Sequence, residues 1–117
     1  MPYMLLVIEK PGDRRGRSED QGRALYEHML RFSAELKQRG VLTLAQSLKS
    51  DASGTRVSAE SGRPIVRDGP FAEAKEMVGG FFLLTSSTRE EALQIAQQCP
   101  ALQWATVEVR ELGPCFQ

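Results

Sequence analysis

Apolar residues fall along the chain in short extended runs and in two longer helical stripes. The first run, Tyr3 to Ile8, is almost continuously apolar and is followed by Pro11-Gly12, which is typical of a strand buried on both faces. Residues 81–84 have the same character, and residues 41–48 and 105–109 favour two further strands. The pattern predicts a sheet whose central strands have no polar side.

Two segments carry apolar residues at helical spacing. The first begins with a capping box at residues 18–21 and ends at Gly40, and the second begins with a similar box at residues 88–91 and stops at Pro100. Their apolar faces are Leu25, Met29, Phe32 and Leu36 in the first helix and Ala92, Ile95, Ala96 and Cys99 in the second. We expect both helices to pack on the sheet through these faces.

The segment between these units predicts a β-hairpin. Residues 55–60 and 63–67 are β-like runs on either side of Ser61-Gly62. A turn follows at residues 68–71, and the charged residues 72–76 fit one helical turn. The element order is therefore that of an α+β fold with the ferredoxin-like β-α-β-β-α-β plan and an inserted β-hairpin, in a single domain over residues 1–117.

This plan places both helices on one face of the sheet and leaves the other face open. Because the first and central strands are apolar on both sides, we expect something to cover the open face. A second copy packed sheet against sheet is the simplest cover. The sequence therefore predicts a homodimer with a pocket between the two sheets.

Composition narrows the function classes. The chain has 15 basic and 15 acidic side chains, one histidine and two cysteines. Zero net charge argues against a nucleic-acid-binding protein, and a single histidine excludes a multi-histidine metal site. We expect no metal and no cofactor. No apolar run approaches the roughly 18 residues of a membrane span, and residues 1–8 lack a signal-peptide pattern. We expect a cytoplasmic protein with no membrane partner and with Cys99 and Cys115 as free thiols.

The run from Arg67 to Glu76, RDGPFAEAKE, followed by GGFFLL at residues 79–84, resembles the DGPF branch of the YCII-related family. Three other stretches are similar to the same family: the opening strand at residues 3–6, the segment Cys99-Pro100-Ala101 and the closing strand at residues 107–110. The resemblance spans nearly the whole chain. It implies a dimeric α+β barrel of bacterial origin, with many relatives encoded beside extracytoplasmic-function sigma factors, and it implies no settled activity.

One departure from the family pattern concerns histidine. Relatives often place His or Tyr eleven residues before the glycine that ends the first helix, where this chain has Met29, and its only histidine, His28, lies beside that position. Near the closing strand, where some relatives carry another histidine, this chain has Gln103-Trp104. Both differences weaken the case for acid–base chemistry by an analogous histidine.

Asp68 is the leading candidate for chemistry, because it ends a β run beside the Gly69-Pro70 turn. In a pocket it would serve as a general base, whereas Asp before such a turn commonly accepts backbone hydrogen bonds instead. His28 is the second catalytic candidate, or else a half-exposed residue at the edge of its helix. The candidate ligand-binding residues are Arg67, Phe71, Glu73 and Lys75, for which core packing of the ring and a solvated charged turn are the ordinary alternatives.

Three functions fit these observations. The first is a small dimer whose inter-sheet pocket binds a small, partly apolar molecule in a sensing or accessory role. The second is a cofactor-free enzyme of lyase or oxygenase type, acting on a small aromatic compound with Asp68 as general base. The third is an interaction module for a sigma factor, which only the resemblance suggests.

Overall fold

The computed structural model describes residues 1–86 and 88–117 and places six strands and two α-helices in that part of the chain. The strands are β1 Tyr3–Glu9, β2 Leu42–Ser47, β3 Thr55–Glu60, β4 Arg63–Asp68, β5 Met77–Leu84 and β6 Thr106–Glu111. The helices are α1 Glu19–Gln38 and α2 Arg89–Gln97. None of the described helices is long and apolar enough to cross a membrane.

Four strands form one sheet in the order β2-β5-β1-β6, with every neighbouring pair antiparallel. The other two, β3 and β4, pair only with each other. This arrangement confirms the α+β, ferredoxin-like plan with an inserted hairpin. At the centre of the sheet Leu5 lies opposite Phe82 on one side and Val109 on the other, so the apolar strands occupy the middle as the pattern predicted.

The start of α1 is the predicted capping box. The Ser18 hydroxyl accepts a hydrogen bond from the Gln21 backbone N–H, and the Gln21 side chain accepts one from the Ser18 backbone. At the other end Gly40 takes a left-handed conformation with φ of 74°. The box predicted for α2 is only half formed: the Thr88 hydroxyl accepts from the Glu91 N–H, but the Thr88 backbone donates to the Ser86 hydroxyl instead.

The hydrophobic core lies between one face of the sheet and the two helices. Phe32 and Leu36 of α1 and Ile95 of α2 are buried against alternate residues of β1 and β5. The rings of Phe32 and Phe82 meet edge to face with centroids 5.6 Å apart. Both helices therefore pack through the predicted stripes, except that Leu25 and Met29 near the start of α1 are only partly buried.

The opposite face of the sheet carries Met4, Leu6, Ile8 and Leu83, with Leu44 and Val78 still 45% and 41% exposed. Side chains that pair directly across neighbouring strands share a face, so these residues form one continuous apolar surface. No helix of residues 1–86 and 88–117 packs over it. We call this surface the open face.

The β3–β4 hairpin stands away from the rest of the chain, and all of its strand residues are exposed. The radius of gyration is 15.9 Å, against about 13 Å for a compact domain of this length. One side of the hairpin carries the cross-strand pair Val57 and Val66, each about two-thirds exposed. We call this hairpin the arm. The charged residues that follow it form a turn, with the Ala74 N–H donating to the Phe71 carbonyl, and no helix.

Candidate ligand-binding cavity

A cavity of about 610 Å³ lies between the N-terminal half of α1 and the helix-covered face of the sheet. One wall comes from α1 and the segment before it, the other from β1, β2, β5 and Trp104. Its lining residues are Val7, Glu9, Arg14, Arg17, Ser18, Glu19, Gly22, Leu25, Tyr26, Met29, Leu30, Ser33, Ala45, Gln46, Ser47, Leu48, Gly79, Gly80, Phe81, Phe82 and Trp104.

Small side chains on both walls account for this volume. Gly22 and Ser33 of α1 face Ala45 of β2 and Gly80 of β5, so neither wall fills the space between helix and sheet. Gly80 also permits close approach, since a Cβ there would lie 2.9 Å from the Gln46 carbonyl oxygen. The sequence placed the pocket between the sheets of two copies, whereas this cavity lies on the opposite side of the sheet.

An ion pair between buried Glu9 and partly exposed Arg14 lines the cavity. Glu9, 5% exposed, is the last residue of β1, and its inward position follows from the same alternation that buries Leu5 and Val7. Arg14 donates from Nη2 to Glu9 Oε2 at 2.7 Å and from Nε to Oε1 at 3.3 Å. The two-point pairing offsets the cost of removing the carboxylate from water.

Arg14 also ties the end of β1 to two other strands. Its Nη1 donates to the carbonyl oxygen of Leu48, just after β2, at 2.7 Å, and its Nη2 reaches the Gly79 carbonyl oxygen of β5 at 3.2 Å. Gly79 is the extra residue of the β-bulge opposite Val7 and Ile8. A Cβ at Gly79 would lie 1.5 Å from Glu9 Oε2, so the ion pair occupies the space that a side chain would take. The bulge therefore allows a close approach between β5 and the ion pair.

Asp68 lies outside this cavity. It ends β4 at the base of the arm, is exposed, and accepts a hydrogen bond at 3.0 Å from the hydroxyl of Thr55, its direct cross-strand partner. The contact joins the two strands of the arm at their open end. Within one chain Asp68 thus has the turn-supporting position that was the alternative to a catalytic one.

Phe71 is buried, at 6% exposure, beneath two arginines of the arm. The Arg56 guanidinium lies 4.1 Å and that of Arg67 5.6 Å from the ring centroid. Both arginines also pair with the carboxylate of Glu73, Arg56 at 3.8 Å and Arg67 by a direct hydrogen bond. Hydrogen bonds from the Glu73 backbone and from Arg67 lower the pKa of Glu73. Three of the predicted ligand-binding residues therefore form one cluster, which clamps the base of the arm.

The glycine of the same motif has a packing role. A Cβ at Gly69 would lie 1.9 Å from the carbonyl oxygen of Asp51, and the Gly69 N–H donates to the Gly54 carbonyl at 2.8 Å. The Asp51 side chain accepts from the Phe71 N–H at 3.3 Å through Oδ2. These contacts seat the DGPF segment against the loop between β2 and β3.

The remaining two predicted residues lie apart from the large cavity. His28 is exposed on α1, with Nδ1 3.1 Å from Arg31 Nη2, because its position on the helix turns it away from the sheet. Lys75 lines a second cavity of about 320 Å³, bounded also by Glu9 and Trp104. Within the described residues, no three His, Cys, Asp or Glu side chains form a group able to hold a metal ion.

Glu9 and Arg14 are not among the candidate residues predicted from the sequence. A signal for Glu9 was present, because it continues the inward alternation of an apolar strand and a carboxylate at such a position needs a partner. The partner could not be read from the sequence, since three arginines follow within eight residues.

Comparison with known proteins gives a family and relatives for the chain. The model of the YCII-related domain matches residues 1–115. An uncharacterized protein of Rhizobium meliloti is 26% identical over 115 residues, which cover 97% of this chain and 93% of that protein.

A similar fold occurs in a solved structure, that of the 5-chloro-2-hydroxyhydroquinone dehydrochlorinase of Burkholderia phenoliruptrix AC1100 in complex with 2,5-dihydroxybenzoquinone. The TM-score is 0.52 with 16% sequence identity, and the match covers 97% of this chain and 94% of that chain. At this identity the likeness concerns the fold, and it extends over nearly the full length of both chains.

Proposed function

The chain belongs to the YCII-related domain family, and from that membership together with the cavity beneath α1 we propose that it binds a small, partly apolar molecule there. The cavity volume of about 610 Å³ falls within the range of small-molecule sites. About half of its lining residues are aliphatic or aromatic, and its wall also contains the ion pair of Glu9 and Arg14. A similarly folded protein that binds a quinone supports a ligand of this size.

Filling the cavity tests this proposal. Ala45 lines it from β2, whereas Ala52 is exposed in the loop after β2 and does not line it. We expect a panel of small quinones and phenols to raise the melting temperature of the wild type and of Ala52→Phe, and to leave that of Ala45→Phe unchanged. Equal stabilisation of Ala45→Phe would place the binding site elsewhere and contradict the proposal.

A cofactor-free enzyme acting on a small aromatic compound is the second candidate, and the buried carboxylate of Glu9 in the cavity wall favours it. Because Asp68 does not line the cavity within one chain, Glu9 rather than Asp68 would take the substrate proton there. The reaction to try is loss of HCl from 5-chloro-2-hydroxyhydroquinone, in which a proton and chloride leave and a hydroxyquinone forms.

Chloride release measures this activity. We expect Glu9→Gln, which keeps the shape of the side chain, to fold with an unchanged circular dichroism spectrum and to lose turnover, while Asp68→Asn keeps it. If Asp68→Asn loses turnover and Glu9→Gln does not, the base is Asp68 and the cavity assignment is wrong.

A homodimer through the open face is part of the same proposal. Its support is the continuous apolar surface around Leu6 and Leu83, together with the exposed valines of the arm, which extends beyond the sheet. Association with a sigma factor stays a prediction from the family resemblance. A pull-down from a lysate with the purified dimer as bait, followed by mass spectrometry, checks it by recovery of a sigma factor.

A further inference from the structure

The cavity beneath α1 has one charged group without a compensating partner. Four charged side chains line it: Glu9, Arg14, Arg17 and Glu19. Glu9 and Arg14 neutralise each other, and Glu19 pairs with Arg23 at 2.7 Å on the outer surface of the helix. Among residues 1–86 and 88–117, no carboxylate lies within 4.0 Å of the Arg17 guanidinium, and no side chain or carbonyl hydrogen-bonds to it.

Arg17 is partly buried and lines the cavity together with apolar and aromatic side chains. A guanidinium in such surroundings needs an acceptor, and a planar carboxylate or phenolate oxygen can take its N–H groups in the plane of the fork. The aromatic rings of Tyr26, Phe82 and Trp104 line the same space and suit a flat ring.

We propose that Arg17 makes the cavity selective for small aromatic anions, a carboxylate or phenolate whose charged oxygens pair with its guanidinium. This inference rests on the proposed binding function and adds the charge of the ligand to it. It assigns Arg17 a specificity role that is independent of any proton transfer at Glu9.

Trp104 supplies the readout, because it is the single tryptophan of the chain and lines the cavity. The probes are 4-hydroxybenzoate and its neutral counterpart 4-hydroxybenzamide, which have the same ring and differ in charge. We expect both probes to quench the tryptophan fluorescence on binding, and 4-hydroxybenzoate to bind about tenfold more tightly than the amide. This factor corresponds to one charge-assisted pair. We expect the two affinities to become equal in Arg17→Gln and the preference for the anion to be partly kept in Arg17→Lys. Arg15 is exposed and does not line the cavity, so Arg15→Gln should leave the preference unchanged.

Each outcome separates the two claims. Equal affinity for both probes in the wild type, or an anion preference that survives in Arg17→Gln, overturns the role of Arg17 and leaves the binding function standing. If neither probe quenches the fluorescence, both the role of Arg17 and the binding function are overturned. Circular dichroism and the melting temperature of each variant show that a lost preference does not arise from unfolding.

Discussion

At the scale of single residues, the Glu9–Arg14 pair and Gly79 form one unit. The carboxylate fills the space that a side chain at position 79 would take, and the guanidinium joins three strands around it. Separating the buried Glu9 carboxylate from Arg14 costs more than the pair contributes, because the carboxylate loses its partner away from water. Gly79, which leaves space for the pair, should therefore contribute as much to the free energy of unfolding as the pair itself.

We expect Gly79→Ala to lower the free energy of unfolding by about 2–3 kcal/mol, because the new methyl group displaces the Glu9 carboxylate from Arg14. The matched control is Gly22→Ala in α1, where a Cβ meets nothing within 4 Å and the helix gains up to about 1 kcal/mol. Urea denaturation measures both changes.

A double variant examines the proposed cause. In Gly79→Ala/Glu9→Ala the methyl group no longer meets a carboxylate, so the loss should be smaller than the sum of the two single losses. Additive losses would mean that Gly79 is needed for a reason unrelated to Glu9.

At the scale of elements, the base of the arm shows that the DGPF segment does not by itself distinguish a turn from a site. An aspartate before Gly-Pro has the same sequence pattern whether it holds a turn or faces a pocket, and here Asp68 bonds to Thr55. The element order and the start of α1 could be predicted, because they depend on short-range periodicity and on a capping box of four residues. The cavity could not, since its volume depends on how far α1 stands from Ala45 and Gly80, which are remote in sequence.

The pH dependence of the arm base follows from Glu73, whose pKa is lowered by hydrogen bonds from its own backbone and from Arg67. A carboxylate with a lowered pKa stabilises the fold above its usual pKa of about 4.3, and that stabilisation is lost as the pH falls through the lowered value. In Arg67→Gln we expect the titration midpoint of the Glu73 carboxyl carbon, followed by NMR, to move up toward the usual value. Arg63 lies in the same strand without contact to Glu73, so Arg63→Gln should leave the titration midpoint of Glu73 unchanged. An equal rise in both variants would show that net charge, and not the contact, sets the pKa.

At the scale of the whole molecule, the shape of the chain supports the proposed homodimer. Its extents are 47 × 41 × 18 Å, because one face of a single sheet has no second layer and the arm extends past its edge. Both features expose apolar side chains to solvent: those of the open face and the valine pair of the arm. Packing the open face against its counterpart in a second copy would remove the apolar surface of the sheet from water.

We expect light scattering after size exclusion to give twice the 13.0 kDa of one chain, and Leu44→Lys to shift the mass toward the monomer. Leu44 lies on the open face and is 45% exposed, so a lysine there costs little in an isolated chain, but at a dimer interface it buries an unpaired charge. Leu102→Lys is the matched control, because Leu102 is 50% exposed beyond α2 and away from the open face. A wild type that elutes as a monomer at micromolar concentration would contradict the dimer, and dissociation by both lysines alike would place the interface elsewhere.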